Sequence, residues 1–128
     1  PKPLSLDAAV RVASGEPMAG DAAEPWVTAR DAAVLSLLYG AGLRISEALG
    51  IRRREITQGV DVLTVVGKGR KTRNAPLIGP VRAALDEYLR LCPYVLKPDG
   101  PLFVGVKGGP LSPRIIQLAV ARMRGALG

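Results

Sequence analysis

Arg44 and Lys68 are the two side chains of this 128-residue chain best placed to do chemistry. Arg44 lies in GAGLRISEAL, just after two glycines and at the expected start of a helix. Lys68 lies in VVGKGRKTRNAPL, in a Gly-Lys-Gly turn between two expected strands. Gly40 and Gly42 tolerate positive φ, and a helix start offers free backbone N–H groups. A guanidinium there can add a bidentate grip on a phosphate. The pair therefore suggests a site for one phosphate group. Each residue also has a plainer alternative. Arg44 can pair with Glu47 at i, i+3 on an exposed helix face, and the local sequence alone favours that. Lys68 can be an ordinary hairpin tip, where glycine serves the backbone. Arg70, Lys71 and Arg73 follow on the returning strand. They read either as phosphate-backbone contacts or as a charged edge that resists aggregation. A nucleotide-binding loop is excluded, because that pattern runs from Gly-Lys into Ser or Thr and a helix. Here Gly69 follows Lys68 and a strand comes next.

The charge around these residues points the same way. The net charge is +7, a balance that favours polyanionic partners. It is not spread evenly. Residues 1–31 hold three Lys/Arg against five Asp/Glu, whereas residues 44–73 hold eight against three. There is no His, which removes His-ligated metal sites and His general bases from this stretch. Cys92 is the only cysteine, so no internal disulfide forms, and it reads as a structural thiol. No apolar run approaches a membrane span, and no signal-peptide pattern opens the chain.

The elements that must position these residues can be read from periodicity. Apolar residues are 48% of the chain and aromatics 4%, so one domain is expected, with a core of Leu, Val, Ile and Ala. Residues 1–5 read as a linker. A short helix is predicted over 6–13, then a Gly- and Pro-rich loop over 14–27. Thr28 with Asp31 resembles a capping box for a helix reaching Tyr39, with Ala32, Leu35, Leu38 and Tyr39 turned inward. A second short helix spans 44–49. The segments 61–66 and 72–76 read as a hairpin, with Pro76 ending the second strand or marking an edge. Val81, Ala84, Leu85, Tyr88 and Leu89 form a core stripe on a helix over 79–91. Leu102-Phe103-Val104 is a third strand candidate. Ser112 caps a last helix whose inward positions are Ile115, Ile116, Ala119, Met123 and Leu127. The fold class is α+β: mostly helices with a small antiparallel sheet.

Five blocks in this order, PKPLSLDAA, LLYGAGLRISEALGI, DVLTVVGKGRKTRNAPL, AALDEYL and PLFVGVKGGPLS, resemble the catalytic domain of tyrosine recombinases, the phage integrase family, and specifically the bacterial Xer type. The resemblance implies DNA cutting by a tyrosine through a 3′-phosphotyrosyl bond, and rejoining to a new partner, with no metal, no ATP and no other cofactor. The family's first catalytic arginine falls on Arg44, with Glu47 as its supporting residue. The hairpin lysine falls on Lys68, which would protonate the leaving 5′-oxygen. Arg70, Lys71 and Arg73 would touch DNA. The implied partners are a double-stranded recombination site and a related recombinase in a tetrameric synaptic complex, in the cytoplasm and away from membrane. The implied role is chromosome dimer resolution.

The family's His/Lys-x-x-Arg motif, its further His or Trp, and its nucleophilic tyrosine lie downstream of the last block. Tyr39, Tyr88 and Tyr94 do not stand in that nucleophile's context, and Tyr39 and Tyr88 read as core. Residues 6–128 are therefore expected to be the front two thirds of a catalytic domain, inactive alone and prone to self-association. A phage or transposon integrase of the same family, and a non-catalytic DNA-binding module, are the alternatives.

Overall fold

A proline sets where the first helix begins. The computed structural model describes residues 24–57 and 59–127; the predicted linker at 1–5, the helix at 6–13 and residues 14–23 of the loop lie outside them. Helix α1 runs Pro25–Gly40 with Pro25 in its first turn, where a preset φ and a missing N–H cost nothing. The capping box expected at Thr28 and Asp31 does not form. Thr28 lies inside the helix, and the N-cap is Glu24, whose carbonyl takes the Val27 and Thr28 N–H groups. At the other end, the Ala41 and Leu43 N–H groups both bond the Leu37 carbonyl, at 3.2 and 3.1 Å. Gly42, at φ +74°, supplies the left-handed turn between them.

Helix α1 is buried on nearly every side, more than a single stripe would give. Ala29, Ala32, Ala33, Val34, Leu35 and Leu37 are all buried, while the predicted Leu38 and Tyr39 are only partly so. The reason is its place at the centre. It packs against α2 (Ile45–Leu49), α3 (Gly79–Leu91) and α4 (Pro113–Leu127), and a helix surrounded by others must be apolar all round. Ser36 is tolerated there because its hydroxyl donates to the Ala32 carbonyl at 2.7 Å. Arg30 is also buried, 3% exposed, which its sequence context does not announce. It pairs with Asp31 at 2.8 Å, donates to the Val104 carbonyl at 3.3 Å, and sits 5.7 Å from the Trp26 ring centroid. Burial pushes the Asp31 carboxyl up from its ordinary value, and the Arg30 charge opposes that shift.

Strands β1 (Val62–Val66) and β2 (Thr72–Pro76) form the expected antiparallel hairpin, with Leu63 opposite Ala75 and Val65 opposite Arg73. Leu63, Val65 and Ala75 face the core. The strand pairing ends at Pro76, as predicted, and the Leu77 N–H then bonds the Asp61 carbonyl at 2.7 Å. In α3 the stripe is as read: Val81, Leu85 and Tyr88 are buried, and Ala84 and Leu89 pack against the core from its margin.

Leu102-Phe103-Val104 is fully buried but is not a strand. It makes single bridges only, between Arg52 and Pro101 and between Val104 and Pro110. Both bridges involve prolines, which have no N–H to continue a ladder. The Tyr88 phenol holds this segment instead. Its Oη donates to the Leu102 carbonyl at 2.8 Å and accepts from the Val104 N–H at 3.3 Å. Its ring lies 5.3 Å from that of Phe103. In α4, Ser112 accepts from the Arg114 N–H as expected, and Ile116 and Met123 face inward. Ile115 does not; it is 41% exposed, beside Leu118 at 43%. The inward stripe runs through Ile116, Val120 and Met123, and Ile115, about 100° round the helix from Ile116, falls on its outer side.

Tyr88→Phe is expected to destabilise the domain by about 1–3 kcal/mol, because it leaves a buried carbonyl and a buried N–H without their shared partner. Urea unfolding with the slope held constant measures this directly.

Candidate active site and nucleic-acid interface

The short helix α2 is too brief to be stable alone, so its start must be fixed by side chains. Arg44 is the N-cap residue, in extended conformation. Its backbone N–H donates to Glu47 Oε1 at 2.9 Å. This is one half of a capping box, the half in which the third residue reaches back. A guanidinium has no acceptor, so Arg44 cannot supply the reciprocal bond.

The expected Arg44–Glu47 side-chain pair is absent. Glu47 is held by Arg73 from the hairpin, through Nη1 to Oε2 at 2.9 Å and Nη2 to Oε1 at 2.8 Å. Arg73 Nη2 also reaches the Gly42 carbonyl at 3.2 Å. The Glu47 side chain is 8% exposed, against 44% for Arg73. Hydrogen bonds from Arg73 hold the Glu47 carboxyl down at about 2, with the Arg44 N–H as the next contribution. That leaves Glu47 ionised with both oxygens engaged. Among the described residues, the exposed Arg44 side chain makes no hydrogen bond or ion pair.

Lys68 sits in a loop wider than a two-residue turn. Gly67 N–H bonds the Lys71 carbonyl at 2.7 Å, and Arg70 N–H bonds the Gly67 carbonyl at 3.2 Å. Lys68–Arg70 forms a 3-10 turn with Gly69 at φ +73° and Arg70 at φ +60°. A non-glycine residue at positive φ is uncommon. The side chains of Lys68, Arg70 and Lys71 are exposed, and among the described residues none of them has a hydrogen-bond or ion-pair partner. Gly67, at the foot of this loop, backs onto Glu47: a Cβ added there would lie 3.5 Å from Oε2. Glu47 therefore bonds the backbone of Arg44 directly and the hairpin that carries Lys68 through Arg73, and it lies beside the base of the Lys68 loop.

The remaining candidates sort differently. Arg73 is committed within the chain. The Tyr88 phenol is buried, and burial pushes its pKa far above the ordinary phenol range. The Tyr94 Oη donates to the Val106 carbonyl at 2.6 Å. Tyr39 packs beside Leu35 and Met123. Cys92 Sγ lies 3.8 Å from Tyr88 Oη, which fits the structural thiol predicted for it. No group of His, Cys, Asp or Glu among the described residues is arranged to hold a metal ion. Nor is any described helix long and apolar enough to cross a membrane.

The fold, a helical domain with one antiparallel hairpin, is shared with solved structures of recombinases. The fold superposes on XerA recombinase with a TM-score of 0.68 at 20% identity, covering 96% of this chain and 42% of that one. It superposes equally well, at 0.68 and 24% identity, on XerH site-specific recombinase bound to palindromic difH substrate in a post-cleavage complex, covering 92% of this chain and 33% of that one. Residues 21–128 match the model of the phage integrase family. The chain is 66% identical to a tyrosine recombinase XerC of Methylobacterium sp. (strain 4-46), and 58% identical to one of Bradyrhizobium diazoefficiens, over its whole length. It spans about 40% of the length of those relatives. The chain belongs to the phage integrase family, and the mixed fold with a two-stranded antiparallel sheet is the one the sequence predicts.

Glu47 gives the site a pH signature with a fixed sign. Its folded pKa, about 2, lies below its ordinary 4.5, so its contribution to stability is complete above pH 4.5 and disappears as pH falls towards 2. Glu47→Gln is expected to flatten that part of the curve. Thermal midpoints of parent and variant, measured stepwise from pH 6 down, should converge at the acid end.

Proposed function

We propose that this chain is the front part of the catalytic domain of a Xer-type tyrosine recombinase that cuts and rejoins DNA at a specific site, with chromosome dimer resolution as its role. One observation carries this reading: two exposed cations, Arg44 and Lys68, have no hydrogen-bond or ion-pair partner among the described residues, and the ionised Glu47 carboxylate ties their segments together through the Arg44 N–H and Arg73. Such an arrangement suits a single phosphodiester. The curated relatives named tyrosine recombinase XerC support the Xer assignment over a phage or transposon integrase.

In this reading a tyrosine supplied outside the described residues attacks the scissile phosphorus. Its oxygen forms the new P–O bond as the bond to the 5′-oxygen breaks. The Arg44 guanidinium takes up the charge that builds on the non-bridging oxygens, where preorganised donors are worth most. The Lys68 ammonium gives its proton to the departing 5′-oxygen, and a lysine holds that proton at neutral pH. Arg70 and Lys71 contact the flanking backbone and add salt-dependent affinity. Duplex DNA and a related recombinase in a four-subunit synapse are the partners, in the cytoplasm. No metal, ATP or other cofactor has a part in the step.

In the complete protein, Lys68→Ala is expected to slow single-turnover strand cleavage by about 10²–10⁴-fold, the usual weight of a general acid. Arg44→Ala is expected to cost about 10²–10³-fold. Both should leave DNA affinity within a few-fold of the parent. Cleavage and recombination unchanged in both variants would leave only a non-catalytic DNA-binding module. The described chain alone should bind duplex DNA weakly and not cut it.

A further inference from the structure

Arg73 was expected to touch DNA with its neighbours, yet its geometry is unlike theirs. Arg70 and Lys71 are exposed, whereas Arg73 bonds Glu47 and the Gly42 carbonyl within the chain. Strand parity explains why. Arg73 lies opposite Val65 and two residues before Ala75, both buried, so it shares the core-facing side of the hairpin. From there its fork reaches two points on the Arg44 segment. Glu47 lies three residues after Arg44 and Gly42 lies two residues before it. One guanidinium thus brackets Arg44 from both sides. Arg73 is also five residues from Lys68, in the strand on which the Lys68 loop closes, and the foot of that loop at Gly67 rests beside the same Glu47 carboxylate.

We propose that Arg73 is a positioning residue: it fixes the Lys68 loop against the Arg44 helix start, and so sets where the proton donor stands relative to the phosphate-binding arginine. This rests on the recombinase reading above. The role needs arginine rather than lysine. Its planar fork meets the two carboxylate oxygens with two separate nitrogens and still reaches the Gly42 carbonyl, a geometry the single nitrogen of lysine does not reproduce.

Three kinds of measurement on the complete protein separate this role from a DNA contact and from general stability. The probe is a duplex selected from random sequence by the parent protein, nicked to trap the covalent adduct. Arg73→Ala and Arg73→Lys are expected to cut it about 100-fold and 10-fold more slowly, since a misplacement near 1 Å has that effect. DNA affinity and its salt slope should stay within twofold of the parent. The second probe is the same duplex with sulfur in place of the bridging 5′-oxygen. A thiolate leaves without a proton, so misplacing Lys68 no longer matters. Arg73→Ala should then recover to within about threefold of the parent, as should Lys68→Ala, while Arg44→Ala should not. Loss of affinity with a shallower salt slope would make Arg73 a phosphate contact, and absence of sulfur rescue would make it merely structural; either overturns the proposal. The third measurement is hydrogen exchange at the Gly67 and Arg70 amides. It should quicken in both variants while exchange in α3 stays as in the parent. Unchanged exchange in the loop overturns the proposal even if the parent cuts no DNA, an outcome that would itself sink the recombinase reading.

Discussion

The carboxylate of Glu47 is the point on which the geometry of the site depends. It is one of three acidic groups among eight Lys and Arg in residues 44–73, and its side chain is almost fully covered. Two groups bond it, the N–H that starts the Arg44 helix and the Arg73 fork from the hairpin, and the Gly67 turn lies beside it. Without it, α2 would lack its N-terminal bond and the hairpin would be tied to the helix only through its apolar face. The arrangement also solves an electrostatic problem. Arg73 takes both oxygens of Glu47, so the carboxylate anchors Arg44 by its backbone N–H and forms no direct ion pair with its side chain. A charge-assisted bidentate pair suits this purpose because its geometry is directional.

The scaffold around that point explains why the site can be built from such short pieces. Helix α1 is buried on nearly every side and provides the fixed wall. Its last turn hands the chain through Gly42 directly to Arg44. On the opposite flank, Tyr88 pins the irregular segment at Leu102–Val104 by two hydrogen bonds, doing for that segment what a strand ladder would otherwise do. The bend at Arg53–Glu55 is tied to the same region, with the Arg53 and Arg54 N–H groups bonded to the Gly100 and Pro98 carbonyls. The loop that carries Lys68 is closed by two backbone bonds, with Gly69 and Arg70 at positive φ.

Much of this was legible in the sequence, and the failures have physical causes. The helix over 79–91, the hairpin strands and the Ser112 cap follow from periodicity and turn chemistry. The start of α1 was misplaced because Thr28 and Asp31 imitate a capping box, whereas Pro25 upstream already fixes the first turn. The third strand was inferred from three apolar residues without weighing the prolines that flank it. The Arg30–Asp31 pair has no local signal, since its partners Trp26 and Val104 are set by tertiary packing. The partner of Glu47 was assigned to Arg44 because helix spacing favours neighbours three apart. The true partner is 26 residues away in sequence. A signal for it did exist: Ala75 is the one small apolar residue of the second strand, and alternation from it turns Arg73 inward.

The most direct measurement is a proton titration followed through the backbone amides of Arg44 and Gly67 by ¹⁵N–¹H NMR. Shared dependence on one carboxylate predicts that both amides shift together, with a single midpoint at the acid extreme near 2 set by Glu47. Two separate midpoints, or an Arg44 amide that moves while Gly67 does not, would show that helix start and hairpin are held independently, and would contradict the central role given to Glu47.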